Sequence, residues 1–290
     1  MSGGSQPRVV LTVGSAHGRR ILQRLYERGV APDAVLFHTG GFAPPPARRH
    51  ERLPDRLRRW PRSALSGVRR GVRFRRNSRE WLAERAPRVV ATGDVNSGRL
   101  QRDLERLAPD YLVLGGGGLL LPRVIATARR GVLNAHPALL PWMRGCGVMG
   151  HSLEHGVAMG ATVHWVDAGI DTGAAVERRL LEVSPGAASL AELETAAMEL
   201  AAAMMADVVE DLVRHGREPS GVPQQRRFPL YTDPPAAERA VHEDLAAAGR
   251  AFELFELWRP LCTSAASLTL PAAPFEAPVG RGADVGHKLP

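Results

Sequence analysis

VVLTVGSAHGRRILQRLYERGVAPDAVLFH, residues 9–38 of the 290-residue chain, changes its hydrophobic period twice within thirty positions. Residues 9–13, mostly β-branched and mostly apolar, read as a buried strand. After the turn from Gly14 to Gly18, Ile21, Leu22 and Leu25 share one helical face within residues 19–28, and residues 34–38 return to strand character. Strand, helix and strand in this order form a βαβ opening, whose helical crossover makes the two strands parallel.

The alternation continues along the chain. Residues 89–91 read as a strand, Asn96 or Ser97 as the cap of a helix carrying Leu100, Leu104 and Leu107, and residues 111–114 as the next buried strand. Four glycines, Gly115 to Gly118, follow it at the end where open α/β sheets bind their ligands. Residues 131–136 form a short strand running into Pro137, and the loop through Gly147 is rich in Pro and Gly. Residues 161–167 and 174–183 read as strands joined by the tight turn 168–173. A helix over 189–214 is opened by the capping box Ser189 and Glu192 and closed near Gly216. Residues 228–232 are expected as a terminal strand, 236–260 as one C-terminal helix, and 261–290 as a disordered tail. The fold class is therefore α/β, an open, mostly parallel sheet.

Composition narrows the function classes. The net charge is +8, and Lys288 is the only lysine. Between Arg48 and Arg79 stand thirteen arginines against Glu51 and Asp55, an excess larger than that of the whole chain, so the remainder is slightly acidic. That segment also holds Trp60 and Phe74, with Asn77 and Ser78 placed to cap a short helix. A solvated insertion over residues 43–79 is the reading adopted; contact with nucleic acid or an acidic partner is the alternative. The two cysteines, Cys146 and Cys262, show no ligand-like spacing with histidines, so neither a disulfide framework nor a metal site is expected. No apolar run reaches the length of a signal-peptide core or a membrane span, and a cytoplasmic protein is expected.

Asn134 and His136 alternate with Ala135 at the end of a strand, so their side chains leave one face. An amide donor, an imidazole titrating near neutrality and the carboxylate of Asp171 make a kit for acyl transfer. Spacing alone does not bring Asp171 to His136.

The stretch GVLNAHPALLPWMRG (131–145), followed by GATVHWVDAGIDTGAAV (160–176), resembles the folate-dependent formyltransferases: the glycinamide ribonucleotide, methionyl-tRNA and sugar-amine enzymes. Their pattern is Asn-x-His-Pro-x-Leu-Leu-Pro, an Arg-Gly, Thr-Val-His-x-Val-Asp and an Asp-x-Gly turn, and the likeness runs from about Val9 to Thr232. It implies a Rossmann-like formyltransferase fold with a catalytic domain over residues 1–235, and 10-formyltetrahydrofolate as donor. Asn134, His136 and Asp171 become the catalytic trio, and the folate lies between Gly118, Leu119, Leu120 and Leu121 on one side and Asp167, Ala168, Gly169 and Ile170 on the other. His164 matches a position near the same cleft; a histidine facing neighbouring strands is the other reading.

The match departs from two branches of the family. The first turn, Gly14-Ser15-Ala16-His17-Gly18, lacks the glycine- and asparagine-rich phosphate loop of the purine enzymes, and about sixty residues after the last strand leave little room for a tRNA-clamping domain. A small-molecule amine, such as an amino sugar or a specialised metabolite, is the expected acceptor. The alternatives are a methionyl-tRNA formyltransferase-like or other RNA-binding protein, and a formyltetrahydrofolate hydrolase.

Overall fold

The βαβ opening is present in a computed structural model that describes residues 6–38, 88–116, 118–186, 188–225 and 228–261. It consists of β1 (Val9–Val13), α1 (Ala16–Glu27) and β2 (Ala34–Phe37). There follow β3 (Arg88–Ala91), α2 (Gly98–Leu107), β4 (Tyr111–Gly115), α3 (Pro122–Ile125), β5 (Gly131–His136), β6 (Arg144–Gly145) and α4 (Val148–Glu154). The remaining elements are β7 (Gly160–Trp165), β8 (Ala175–Leu180), α5 (Leu190–His215), β9 (Leu230–Tyr231), α6 (Ala236–Ala247) and α7 (Arg250–Trp258), closed by a 3-10 turn over Arg259–Leu261.

Among the described residues, seven strands pair in the order β3-β2-β1-β4-β5-β7-β8. The first five are mutually parallel, and β7 and β8 run antiparallel at one side. The expected open, mostly parallel α/β sheet is borne out. Strands β1, β2 and β4 are buried along their whole length because helices cover both faces of the sheet. Val9, Leu11 and Val13 of β1 join α1 and α5 in one core, while Val10 joins Leu100 and Leu104 of α2 in another.

A third core forms beside the sheet. Leu139, Trp142 and Met143 of the loop after β5 pack there with α4, the first turns of α5, and α6 and α7. The C-terminal helices are thus built into the same hydrophobic body as the loop that follows Asn134 and His136.

The structure corrects several sequence expectations. The terminal strand shrinks to β9, which pairs in parallel with β6, a rung inside the segment read as a loop. Helix α4 was not anticipated, because its seven residues are too few to display a period. The single helix expected over 236–260 breaks after Ala247, where Gly249 takes a φ of +80° that a side chain rarely adopts. Ser97, not Asn96, caps α2. The arginine segment, its expected short helix and the tail beyond Leu261 lie outside the described residues.

Candidate active site

β5 is the last parallel strand, and β7 beside it reverses direction, so their pairing joins the sheet's carboxyl edge to a hairpin. In this register Asn134 stands opposite His164, and His136 opposite Thr162. Thr162 organises the loop that leaves β5: its hydroxyl donates to the Ala138 carbonyl at 2.8 Å and accepts the Leu140 N–H at 3.0 Å. Arg178 donates from Nε to the Leu140 carbonyl at 2.6 Å. The loop so held returns the Met143 carbonyl to His136.

Asp171 comes in from the turn between β7 and β8. Asp167 shapes that turn, its Oδ1 accepting the Gly169 N–H at 3.0 Å and the Thr172 hydroxyl at 2.6 Å. Asp171 has a φ of +53°, a left-handed conformation that Asp and Asn tolerate better than most residues. Its Oδ2 accepts the Gly145 N–H at 2.9 Å, and Arg144 donates from Nε to the Ile170 carbonyl at 3.1 Å. The Arg-Gly pair of β6 therefore anchors the turn that carries the carboxylate.

These elements bring the expected trio together. His136 Nδ1 lies 3.7 Å from Asp171 Oδ2, and His164 Nε2 lies 3.6 Å from Asp171 Oδ1. Asn134 Nδ2 is 3.1 Å from His164 Nε2. The proton positions follow from the partners. His164 Nδ1 donates to the Trp165 carbonyl at 2.8 Å, which leaves Nε2 as an acceptor and turns the Asn134 NH₂ toward it. Burial pushes the His164 pKa down to about 4 against the pull of Asp171, so the ring is neutral at physiological pH. His136 Nε2 donates to the Met143 carbonyl at 2.7 Å, leaving Nδ1 directed toward Asp171. Burial would raise the Asp171 pKa, but His136, His164, the Gly145 N–H and Arg144 outweigh it and hold the carboxyl below its ordinary range.

The second group of expected residues lies on two short segments. Asn96 pins the segment after the glycine turn, donating from Nδ2 to the Leu119 carbonyl at 2.7 Å and accepting the Leu121 N–H at 2.8 Å. Leu119 is 56% exposed and Leu121 40%, whereas Leu120 points into the core beside β4. Gly118 has a φ of +88°, and Asp167, Ala168, Gly169 and Ile170 lie in the turn between β7 and β8. Two exposed leucines held by backbone hydrogen bonds suit a flat aromatic ligand.

Sequence reasoning missed three contributors. Asn96 was read as a helix cap, although an Asn just beyond a strand's carboxyl end was the available signal. Arg144 stood in the quoted motif without a role. His17, at the head of α1, is buried, lies near enough to His136 for their charges to interact, and is pushed by that burial down to about 4.

The open, mostly parallel α/β sheet, with an amide, two imidazoles and a carboxylate gathered at its carboxyl edge, has the fold of solved N-formyltransferases. Residues 84–209 match the formyl transferase family. A 4-N formyltransferase from Francisella tularensis superposes with a TM-score of 0.53 over 85% of this chain and 88% of that one, at 11% identity. A sugar N-formyltransferase from a Shewanella species gives 0.51 over 78% and 76%, at 12% identity. At such identities the likeness is one of fold. A methionyl-tRNA formyltransferase from Sphingopyxis alaskensis is 35% identical over 135 residues, covering 46% of this chain and 43% of that protein. The chain spans less than half the length of the curated relatives it matches.

Proposed function

We propose that the protein transfers a formyl group from 10-formyltetrahydrofolate to the amine of a small-molecule acceptor, using Asn134, His136 and Asp171. The observation that carries this reading is the convergence of these three side chains with His164, from two strands and a turn, within hydrogen-bond and ion-pair distances.

The amine attacks the formyl carbon, the bond from that carbon to the folate nitrogen breaks, and negative charge develops on the formyl oxygen in between. Asn134 has a second N–H beyond the one given to His164, and this hydrogen supports the developing charge. His136 takes a proton at Nδ1, and Asp171, held ionised, favours that imidazolium by its charge. The proton lost by the amine and the proton needed by the departing folate nitrogen are balanced through this pair. The pterin is read between Gly118, Leu119 and Leu121 on one side and Asp167, Ala168, Gly169 and Ile170 on the other, a reading that the exposure of Leu119 and Leu121 supports. Leu120 contributes through its backbone, its side chain being in the core.

The methionyl-tRNA formyltransferase relatives favour a second acceptor, an aminoacyl-tRNA. The small-molecule reading is preferred because α6 and α7, which follow β9, fold back into the core beside the site. The deciding experiment is a panel of amino sugars, amino-sugar nucleotides, small metabolite amines and methionyl-tRNA, incubated with protein and donor. Formyl release that depends on a small amine is expected. Release without any amine assigns a hydrolase, and release driven only by the charged tRNA assigns the second reading.

A further inference from the structure

Away from the candidate active site, His151 and Glu154 of α4 face Glu238 and His242 of α6, with one nitrogen or oxygen from each lying within 4.8 Å of all the others. The two histidines are buried, at 6% and 0% exposure. His151 Nε2 donates to the Thr232 carbonyl at 3.1 Å. Its buried Nδ1 makes no hydrogen bond and is aimed at two carboxylates, Glu238 Oε1 at 3.4 Å and Glu154 Oε2 at 3.8 Å. On the far side His242 Nε2 lies 2.9 Å from Glu154 Oε2. Two carboxylates converging on buried ring nitrogens call for positive charge between them.

We infer that this cluster is a binding site for one divalent transition-metal ion, best matched to Zn²⁺, which clamps α6 to α4. Ligand atoms on a tetrahedral zinc at about 2.0–2.2 Å stand about 3.3–3.6 Å from one another, a range that the 2.9, 3.4 and 3.8 Å separations here bracket, with every pair within 4.8 Å. Two neutral imidazoles and two carboxylates carry two negative charges, which the ion neutralises. Imidazole nitrogens select late first-row ions over Mg²⁺ and Ca²⁺. A backbone carbonyl that fixes the tautomer of a ligating histidine, as Thr232 does for His151, is the usual outer support of such a site. Gly150 allows the approach, because a β-carbon there would overlap the His242 ring. The site is closed by four protein ligands, so its role is structural. It ties α6 to the element that begins just after β6, whose Gly145 N–H holds Asp171.

The test uses the full chain stripped with a chelator, Zn²⁺ added against a competing chromophoric chelator, and thermal unfolding with and without the ion. One equivalent is expected to bind and to raise the midpoint, since an ion that binds only the folded state stabilises it by mass action. Glu238→Gln, a change at a partly exposed position that leaves the helix intact, should weaken Zn²⁺ by more than about 100-fold and abolish the thermal shift. His151→Asn should do the same, and His155→Asn, outside the four, should not. Absence of a zinc-dependent shift in the wild type overturns the proposal. So does binding of equal strength in the wild type and Glu238→Gln, which would place the ion elsewhere.

Discussion

Asn134 serves a developing oxyanion only if its nitrogen rather than its oxygen faces the cleft, and the acceptor nitrogen of His164 selects that orientation. Replacing His164 by Leu removes the selection while leaving Asn134 in place. The turnover rate should fall, by no more than the roughly 10²- to 10³-fold expected for losing an oxyanion donor outright. KM for the folate should scarcely move; a change confined to KM would show that His164 only shapes the pocket. His136→Ala should lower the chemical step by about two to four orders of magnitude with the fold retained, and near-normal turnover would sink the mechanism. Asp171→Asn preserves the left-handed backbone, since Asn tolerates a φ of +53°. It removes the charge beside Nδ1, so the rate should drop while the folate still binds. An undiminished rate would refute the electrostatic role of Asp171.

At the scale of elements, two glycines in the first turns of two helices give opposite expectations. A β-carbon on Gly18 would overlap the Gly115 carbonyl oxygen, where α1 presses on the end of β4. Gly18→Ala should therefore destabilise by about 1–3 kcal/mol, the usual penalty of overpacking. Gly98, at the start of α2, meets only the tip of Arg102. Gly98→Ala should be neutral or stabilise by up to about 1 kcal/mol, because the unfolded chain loses freedom. Urea unfolding of the two variants checks both signs. The Gly18 contact also explains the first turn: its glycines permit close packing of helix on strand, a reason hidden from the sequence because Gly115 is nearly a hundred residues away. What was legible rested on period and punctuation. The strands β1, β2, β4 and β5 and the capped helix α5 each carry a local signal, and so do Asn134 and His136, two apart on one strand. β6, β9 and α4 carry none, being short and held by contacts far along the chain. The placement of Asp171 beside His136 was not legible from spacing either. It depends on the antiparallel reversal of β7 and on the Gly145 N–H, both tertiary facts.

For the molecule as a whole, burial of histidine sets the response to acid. His17, His38 and His164 are each pushed from 6.5 down to about 4, mainly by burial. A histidine whose folded pKa is depressed is neutral in both states above pH 6.5 and costs nothing there. Between pH 6.5 and about 4 the unfolded chain binds a proton that the folded chain refuses, so stability is lost across that window as pH falls. Each such proton contributes about 1.4 kcal/mol per pH unit, and three together set a slope of at most about 4 kcal/mol per pH unit. Carboxylates with ordinary or lowered pKa values, Asp171 among them, add their losses only near or below pH 4, so the histidine window stands apart from theirs. Urea unfolding of chelator-treated protein at half-unit steps from pH 7.5 to 4.5 should show a plateau above pH 6.5 and a steep decline beneath it. His17→Gln and His164→Gln should each make that decline shallower by about one proton. A flat profile from pH 7 to 5, or a decline unchanged in both variants, would show that these imidazoles are protonated as readily in the folded protein as in the unfolded chain.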